Sequence, residues 1–321
     1  MNSSGLEPVH RFAHEAMGTI FEVVIAGQES EYADQASKAV FREVDRLESL
    51  FSRFNPCSEI GQINALQPGR ALRIGLEVYE CLKSAEQVRL DTAGAFDINY
   101  RARRRIHSPE SQHRTRPDRL AGNPGYEFLS AANGFAIRRP GLVGENDDAS
   151  LDLDLGGIGK GYALERAAAV LTDWSVDRAL VHSGTSTALG IGSAPGLKKG
   201  EEGWPVGVGG KWTDAGAPSR LWLRNRALSG SGTEVKGQHI LDPRTGGVAR
   251  SHLAAWVSHP SATTADALST AFLVMGSKEV KAYCVLHPEV WALVITRTGK
   301  PVSYNPHVLS SPSPNRRTRR R

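Results

Sequence analysis

Cysteines are scarce in this 321-residue chain, which contains three of them. Cys57, Cys81 and Cys284 are far apart, and none belongs to a CxxC pair. The sequence therefore indicates neither a disulfide framework nor a cysteine-ligated zinc site. Cys81 and Cys284 fall in runs with apolar periodicity, so we interpret them as small core residues.

Long apolar runs are also missing. No window approaches the roughly 20 apolar residues that a membrane-spanning helix needs. The amino-terminal stretch MNSSGLEPVHRFAHEAMG has neither the apolar centre of a signal peptide nor a lipobox cysteine. The sequence as it stands predicts a soluble, cytoplasmic protein without a membrane span.

A basic protein face is not indicated, although the net charge is +5. Five arginines lie in the last seven residues, and the remainder carries 34 basic and 34 acidic side chains. A second basic segment, residues 101–119, has a local charge of +5. Because no basic helix has interleaved aromatic residues, we expect no nucleic-acid partner.

Hydrophobic periodicity predicts an α+β fold. Alternation over residues 19–26 indicates a strand, and apolar residues at helical spacing up to Phe54 indicate a helix that stops before Asn55-Pro56. Strands joined by turns as often as by helices favour this class over a doubly wound parallel sheet. The other predicted helices are 76–90, 160–171, 264–275 and 278–286, and the other strands are 179–182, 205–208, 221–228, 253–258 and 291–296.

The predicted organisation is one compact unit over residues 17–300. Residues 1–16 are expected to be a flexible amino-terminal segment. Residues 101–150 lack periodicity, which indicates an irregular excursion with at most short strands at 126–129 and 134–138. Residues 301–321, rich in Ser, Pro, Asn and Arg, are expected to form a disordered tail.

The segment DLDLGGIGKGYA at residues 152–163 is the most informative one. Glycines around one lysine at the start of a helix can bring backbone N–H groups against a phosphate. The spacing matches neither a Walker A loop nor GxGxxG. A glycine-rich turn with an exposed lysine remains the alternative.

Two later segments could complete a site. In HILDPRTG at residues 239–246, His239 falls where a strand end would place it beside a cleft, whereas Arg244 is interpreted as a brace for Asp242. In TTADALST at residues 263–270, Asp266 and Thr270 lie on one helical face and offer two oxygen ligands to one ion. An aspartate so near a helix start could instead be a cap.

Together these segments resemble the ApbE family of FAD:protein FMN transferases. Three further stretches extend the resemblance in the family's order: Met17-Gly18-Thr19, SRFNPCSEIGQIN at 52–64 and TAGAFD at 92–97. The resemblance implies an ApbE-like, T-fold-related architecture, with mixed, largely antiparallel sheets packed with helices in a single compact catalytic unit.

The resemblance also implies an activity. FMN would be transferred from FAD to a Thr or Ser hydroxyl of an acceptor protein through a phosphoester bond, with Mg²⁺ as cofactor and AMP released. The implied catalytic residues are His239, Asp266 and Lys160. The implied metal ligands are the Gly157 carbonyl and the Asp266 and Thr270 side chains. The implied flavin-nucleotide contacts are Met17, Phe54, Ala95, Phe96, Asp97, Asp154, Lys160 and Leu253.

The chain departs from the family pattern in two places. VHSGTSTALG at residues 181–190 carries hydroxyls where relatives commonly have an acidic residue. The stretch after AFD, NYRARRRIHSPESQHR at 99–114, lacks the tryptophan that relatives often have there. Two alternatives therefore stay open: an FAD pyrophosphatase, with water replacing the acceptor, and a flavin-binding carrier without turnover. Residues 266–272 come closest to the acceptor pattern Asp-x-x-(Ser/Thr)-x-(Ala/Ser/Thr)-Thr but end in Phe272, so the acceptor is expected to be another protein.

Overall fold

A computed structural model describes residues 7–102, 124–131, 134–141, 151–216, 218–232 and 240–309. Its elements begin with β1 (Val9–Ala16), β2 (Thr19–Ala26), α1 (Ser30–Phe51), α2 (Glu59–Asn64), β3 (Ala71–Ile74), α3 (Leu76–Asp91), β4 (Glu127–Ala131) and β5 (Gly134–Arg138). They continue with α4 (Gly159–Asp173), β6 (Ala179–Ser183), β7 (Thr187–Ile191), β8 (Trp204–Gly207), β9 (Arg220–Leu223) and β10 (Arg226–Gly232). The last are β11 (His252–His259), α5 (Ala262–Val274), α6 (Ser277–Leu286), β12 (Trp291–Thr296) and β13 (Pro301–Tyr304).

The central feature is an antiparallel sheet in the order β1-β2-β6-β7-β10-β11-β12-β13. Strands β3, β5 and β4 form a small second sheet, and β8 pairs with β9. Helices and strands are thus mixed and the described pairings are antiparallel. The predicted α+β class with largely antiparallel sheets is confirmed.

The two faces of the large sheet bury different layers. Helices α1, α4 and α5 cover one face, and α3 packs on α5, in a core that includes Phe21, Leu164 and Phe272. The β8–β9 hairpin closes part of the other face, where Leu223 packs with Trp212. Because both faces are covered, the central strands read as nearly continuous apolar runs, as in WALVIT of β12.

Helix α5 lies at the centre of these layers. It packs against α3 and α4 on one side and against β10 and β11 on the other, and 11 of its 13 residues are buried. Its amino-terminal cap is Ser261, whose side chain accepts a hydrogen bond from the Thr264 amide at 3.0 Å. Asp266 is therefore not a cap. The helix carries this carboxylate into the interior.

Both ends of the fold are more ordered than the sequence predicted. Within the segment expected to be flexible, Val9–Ala16 form β1, which pairs with β2 through the two-residue turn Met17-Gly18. Positive φ at both residues allows this tight hairpin. In the expected tail, Pro301–Tyr304 form β13, and Pro306–Leu309 form a short 3-10 helix. These polar segments are held by edge pairing, which hydrophobic periodicity does not reveal. Residues 310–321 lie outside the described residues.

Two element boundaries also differ from the prediction. Helix α1 ends at Phe51, before the predicted end. Phe54 is 81% exposed, so the spacing of Phe54 from Phe51 matches a helical period without Phe54 being part of the helix. The predicted strand 221–228 is two strands, β9 and β10, separated by a turn at Asn225 with φ +50°. A turn of two residues leaves little trace in an apolar run.

A buried histidine makes stability depend on pH. Burial lowers the pKa of His252 from its ordinary value. Its Nδ1 lies 2.7 Å from the Phe272 carbonyl and its Nε2 lies 2.9 Å from Ser277 Oγ, so the neutral ring donates through Nδ1 and accepts through Nε2. Since the unfolded chain binds the proton first, this stabilisation is present above about pH 6.5 and is lost as the pH falls below it.

We therefore expect the free energy of unfolding in urea to fall between pH 7.5 and pH 5.5, with His252 contributing up to about 1.4 kcal/mol per pH unit. His252→Gln should have a shallower pH dependence than the wild type. The exposed His307→Gln is the matched control and should keep the wild-type slope. Equal slopes in all three proteins would contradict the assignment.

Candidate functional site

The glycine–lysine loop, residues 154–160, is joined by hydrogen bonds to two earlier motifs. The Asp154 amide donates to the Ile98 carbonyl at 2.8 Å. The Asn64 side chain accepts from the Leu153 amide at 2.7 Å and donates to the Leu153 carbonyl at 3.1 Å. Three motifs that are distant in the sequence therefore meet at one place.

The TAGAFD motif forms the turn after α3. Positive φ at Ala93 and Gly94 reverses the chain, and the Thr92 hydroxyl accepts a hydrogen bond from the Phe96 amide at 3.2 Å. Ala95 and Phe96 are buried. Asp97 is also buried, and its Oδ1 accepts from the Asn99 amide at 2.7 Å.

Gly157 lies between the TAGAFD turn and α5. A Cβ atom on Gly157 would lie 3.3 Å from Phe96 Cε2 and 3.3 Å from Thr270 Oγ1. These are tight contacts, so a side chain at this position would require Phe96 or Thr270 to shift by a few tenths of an ångström. The loop that supplies the predicted carbonyl ligand is thus adjacent to the predicted hydroxyl ligand.

Asp266 lies one turn before Thr270 on α5, and three donors contact its carboxylate. Its Oδ2 accepts from the Gly161 amide at 3.0 Å. Its Oδ1 accepts from Ser229 Oγ at 3.2 Å and from Thr187 Oγ1 at 3.3 Å. These donors come from α4, β10 and β7, so the carboxylate is fixed from three elements.

The Gly161 contact depends on a close approach of helices α4 and α5. A Cβ atom on Gly161 would lie 2.2 Å from the Ala262 carbonyl oxygen and 2.8 Å from Asp266 Cβ. The glycine therefore lets the α4 backbone reach the carboxylate directly.

Asp154 and Lys160 are both paired within the loop region. Asp154 accepts from the Gly156 amide at 2.9 Å and from the Tyr100 hydroxyl at 3.2 Å, and Arg53 Nε lies 3.3 Å from its Oδ2. Lys160 Nζ donates to the Gly156 carbonyl at 2.7 Å. Lys160 lies in the first turn of α4, and its side chain is partly solvent-accessible.

The remaining predicted flavin contacts lie on other elements. Phe54 is exposed after α1, with the Arg53 guanidinium 4.2 Å from its ring centre. Met17 forms the β1–β2 turn. Leu253 lies at a bulge of β11. It is partly buried and packs against the apolar cluster that contains Trp212 and Leu223.

The HILDPRTG segment forms a braced turn. Arg244 donates to both carboxylate oxygens of Asp242 and to Glu279 Oε1 at 2.7 Å. A Cβ atom on Gly94 would lie 3.7 Å from Arg244 Cγ, so this turn lies beside the TAGAFD turn. The interpretation of Arg244 as a brace is confirmed. His239 lies outside the described residues, and its role remains a prediction.

The residues around Gly157 fit a magnesium ion. The donor atoms are a carboxylate, a hydroxyl and a backbone carbonyl, which are the hard oxygens that this cation prefers. Over the described parts of the chain, no three His, Cys, Asp or Glu side chains form a group that could hold a metal. The donor set is therefore incomplete by itself and suits a cation that shares its remaining ligands with phosphate oxygens.

Comparison with known proteins identifies the family. The profile of the ApbE family matches residues 17–294. The chain belongs to the ApbE family. It is 25% identical over 302 residues to the FAD:protein FMN transferase of Treponema pallidum, covering 88% of this chain and 83% of the relative. The enzyme of the same name from Escherichia coli is 23% identical over 285 residues, covering 83% of this chain and 78% of the relative.

Solved structures share the ApbE fold. The flavinyl transferase ApbE from Pseudomonas stutzeri matches with a TM-score of 0.76 at 20% identity, covering 97% of this chain and 100% of that one. The ApbE protein from Thermotoga maritima matches with a TM-score of 0.72 at 24% identity, covering 95% and 100%. The family and fold expected from the motifs are confirmed, and the relatives' names agree with the expected transferase class.

Sequence reasoning missed the hydroxyl groups that surround Asp266. Ser229 and Ser231 alternate along β10, and Thr187 lies opposite Ser229 in β7. The alternation in SGSG places both serines on one face of the strand, which was the available signal.

In the described ranges no helix has the length and apolar character to cross a membrane.

Proposed function

We propose that this ApbE-family chain is a Mg²⁺-dependent FAD:protein FMN transferase. In the proposed reaction the acceptor oxygen attacks the FMN phosphorus of FAD. A phosphoester bond forms, the pyrophosphate bond breaks, AMP leaves and the hydroxyl proton is lost. The observation that supports this most directly is that Gly157 lies beside Thr270, one turn after Asp266 on the same helix, in a chain whose relatives carry that name.

The chain's own groups have distinct tasks in this proposal. Asp266, Thr270 and the Gly157 carbonyl would hold the cation, which when bound neutralises charge on the phosphate oxygens. Lys160 would supply a positive charge to the dinucleotide, and the loop amides would orient it. Such a reaction needs positioning and charge neutralisation more than covalent participation by the enzyme.

The acceptor in this proposal is a Thr or Ser on another protein. Within this chain, the stretch closest to the acceptor pattern is residues 266–272 in α5, where Asp266, Ser269 and Phe272 are buried. The acceptor position of this stretch is Phe272, which has no hydroxyl, so this stretch does not serve as the acceptor.

Lys160 provides a test of substrate binding. We expect Lys160→Met to raise the KM for FAD about tenfold, because a charge-assisted contact with an anion contributes about 1.5–3 kcal/mol. Lys160→Arg should keep most of the affinity. If Lys160→Met left the KM for FAD unchanged, the lysine would serve only to hold the Gly156 carbonyl, which it contacts in the structure.

One experiment separates the candidate activities. The purified protein is incubated with FAD, Mg²⁺ and a peptide that carries the acceptor pattern. Mass spectrometry then detects an FMN adduct and chromatography detects AMP. Adduct with AMP supports the transferase. AMP and free FMN without adduct would support the pyrophosphatase, and bound FAD with neither product would support a carrier.

A further inference from the structure

A row of hydroxyl groups connects Thr270 with the backbone of Asp266. Thr270 Oγ1 lies 3.2 Å from Ser231 Oγ, and Ser231 Oγ lies 2.8 Å from Ser269 Oγ. Ser269 Oγ donates to the Asp266 carbonyl at 2.9 Å. Each hydroxyl has one hydrogen and two lone pairs, so the direction of the whole row can be worked out.

The direction follows from the last member. Ser269 Oγ also lies 3.3 Å from Ser229 Oγ, which donates to the Asp266 carboxylate. Unlike these serine hydroxyls, the Asp266 carbonyl cannot donate, so we assign the Ser269 hydrogen to it, and Ser269 then accepts from Ser231. Ser231 then has no hydrogen left for Thr270, so Thr270 must be the donor in their contact. The hydrogen of Thr270 thus points to Ser231, on β10, and the lone pairs of its oxygen, which lies 3.3 Å from the Cβ position of Gly157, remain as acceptors.

We propose that Ser231 is a positioning residue for a divalent cation, acting by taking the hydrogen of Thr270 so that this hydroxyl, one helical turn after Asp266, keeps its lone pairs for the cation. The inference rests on the cation site of the proposed function. It adds a residue that does not touch the cation. Outer-shell groups of this kind orient metal ligands in proteins, and their loss weakens metal affinity by about 10- to 100-fold.

The chain allows a matched test at this position. Ser231 lies opposite Ala255 of β11, a small neighbour, and β-branched residues are well accommodated in strands. Ser231→Thr keeps the hydroxyl, whereas Ser231→Val has the same shape without it. A comparison of these two variants isolates the hydroxyl from the added volume.

The first readout is binding of Mn²⁺ alone, followed by the loss of the free-ion signal in electron paramagnetic resonance. We expect Ser231→Thr to bind within about threefold of the wild type and Ser231→Val to bind about tenfold more weakly. The second readout is AMP release against Mg²⁺ concentration. Ser231→Val should show a higher KM for Mg²⁺ with a kcat at saturating Mg²⁺ that is nearly unchanged.

Equal Mn²⁺ affinity of the threonine and valine variants, whether near the wild type or both weakened, would overturn the role of Ser231. Asp266→Asn is the reference for a lost site. If it bound Mn²⁺ as well as the wild type, the proposed cation site itself would fail, together with the inference. Binding that depends on Asp266 but not on the residue-231 hydroxyl would leave the proposed function intact.

Discussion

We expect Asp266→Asn to lower the rate of Mg²⁺-dependent FMN transfer on the order of a thousandfold. A cation that stabilises transition-state charge contributes several kcal/mol, and about 4 kcal/mol corresponds to this factor. The measurement is AMP release from FAD and adduct formation on an acceptor peptide, both followed against Mg²⁺ concentration.

The asparagine variant removes the charge and leaves the packing nearly intact. Its amide oxygen can accept from the Gly161 amide, and its NH₂ group can donate to the lone pairs of Ser229 and Thr187, which surround the native carboxylate. We therefore expect a cooperative unfolding transition close to that of the wild type.

A matched control is Asp173→Asn, an exposed aspartate in the last turn of α4. It should leave both turnover and its dependence on Mg²⁺ unchanged. Full activity of Asp266→Asn would disprove the metal assignment. Loss of folding in that variant would show instead that the carboxylate has a mainly structural role.

The part of the site that was predictable from sequence is the part carried by local periodicity. Asp266 and Thr270 share a helical face because they are four residues apart. The glycine pattern around Lys160 predicted a loop that enters a helix, and α4 begins there. The bracing of Asp242 by Arg244 was also predictable, because these two residues are near neighbours in the sequence.

The parts that were not predictable depend on distant segments. No local signal shows that Thr187 and Ser229, 42 residues apart, both contact Asp266, because that contact requires the order of strands β7 and β10 in the sheet. Edge strands β1 and β13 have polar or short sequences. Their strand conformation is stabilised by pairing with neighbouring strands, and a single sequence does not show which strands will pair.

The departure from the family pattern at residues 181–190 has a physical counterpart in the structure. This segment carries hydroxyls, and one of them, on Thr187, donates to the buried carboxylate of Asp266. A hydroxyl stabilises a neighbouring negative charge, whereas a second carboxylate at such a distance would repel it. In this chain the Thr187 hydroxyl thus supplies a hydrogen-bond donor to the carboxylate.

We expect Gly161→Ala to cost about 3 kcal/mol in the free energy of unfolding, at the upper end for overpacked cores. The new methyl group would lie 2.2 Å from the Ala262 carbonyl oxygen. Because that atom belongs to the backbone of α5, relief requires α4 and α5 to separate. The separation would also pull the Gly161 amide away from Asp266.

The same displacement should reduce FMN transfer about a hundredfold, the loss expected when a catalytic group moves by about 1 Å. Gly159→Ala is the matched control in the same helix. Its methyl group would lie 3.5 Å from Leu155 Cβ and from Phe51 Cδ2, which is ordinary contact, and alanine favours the helix by about 0.5–1 kcal/mol. Urea unfolding and AMP release should therefore distinguish two substitutions that differ by two positions. Equal stability of both variants would mean that the close approach of α4 to α5 does not hold the carboxylate in place.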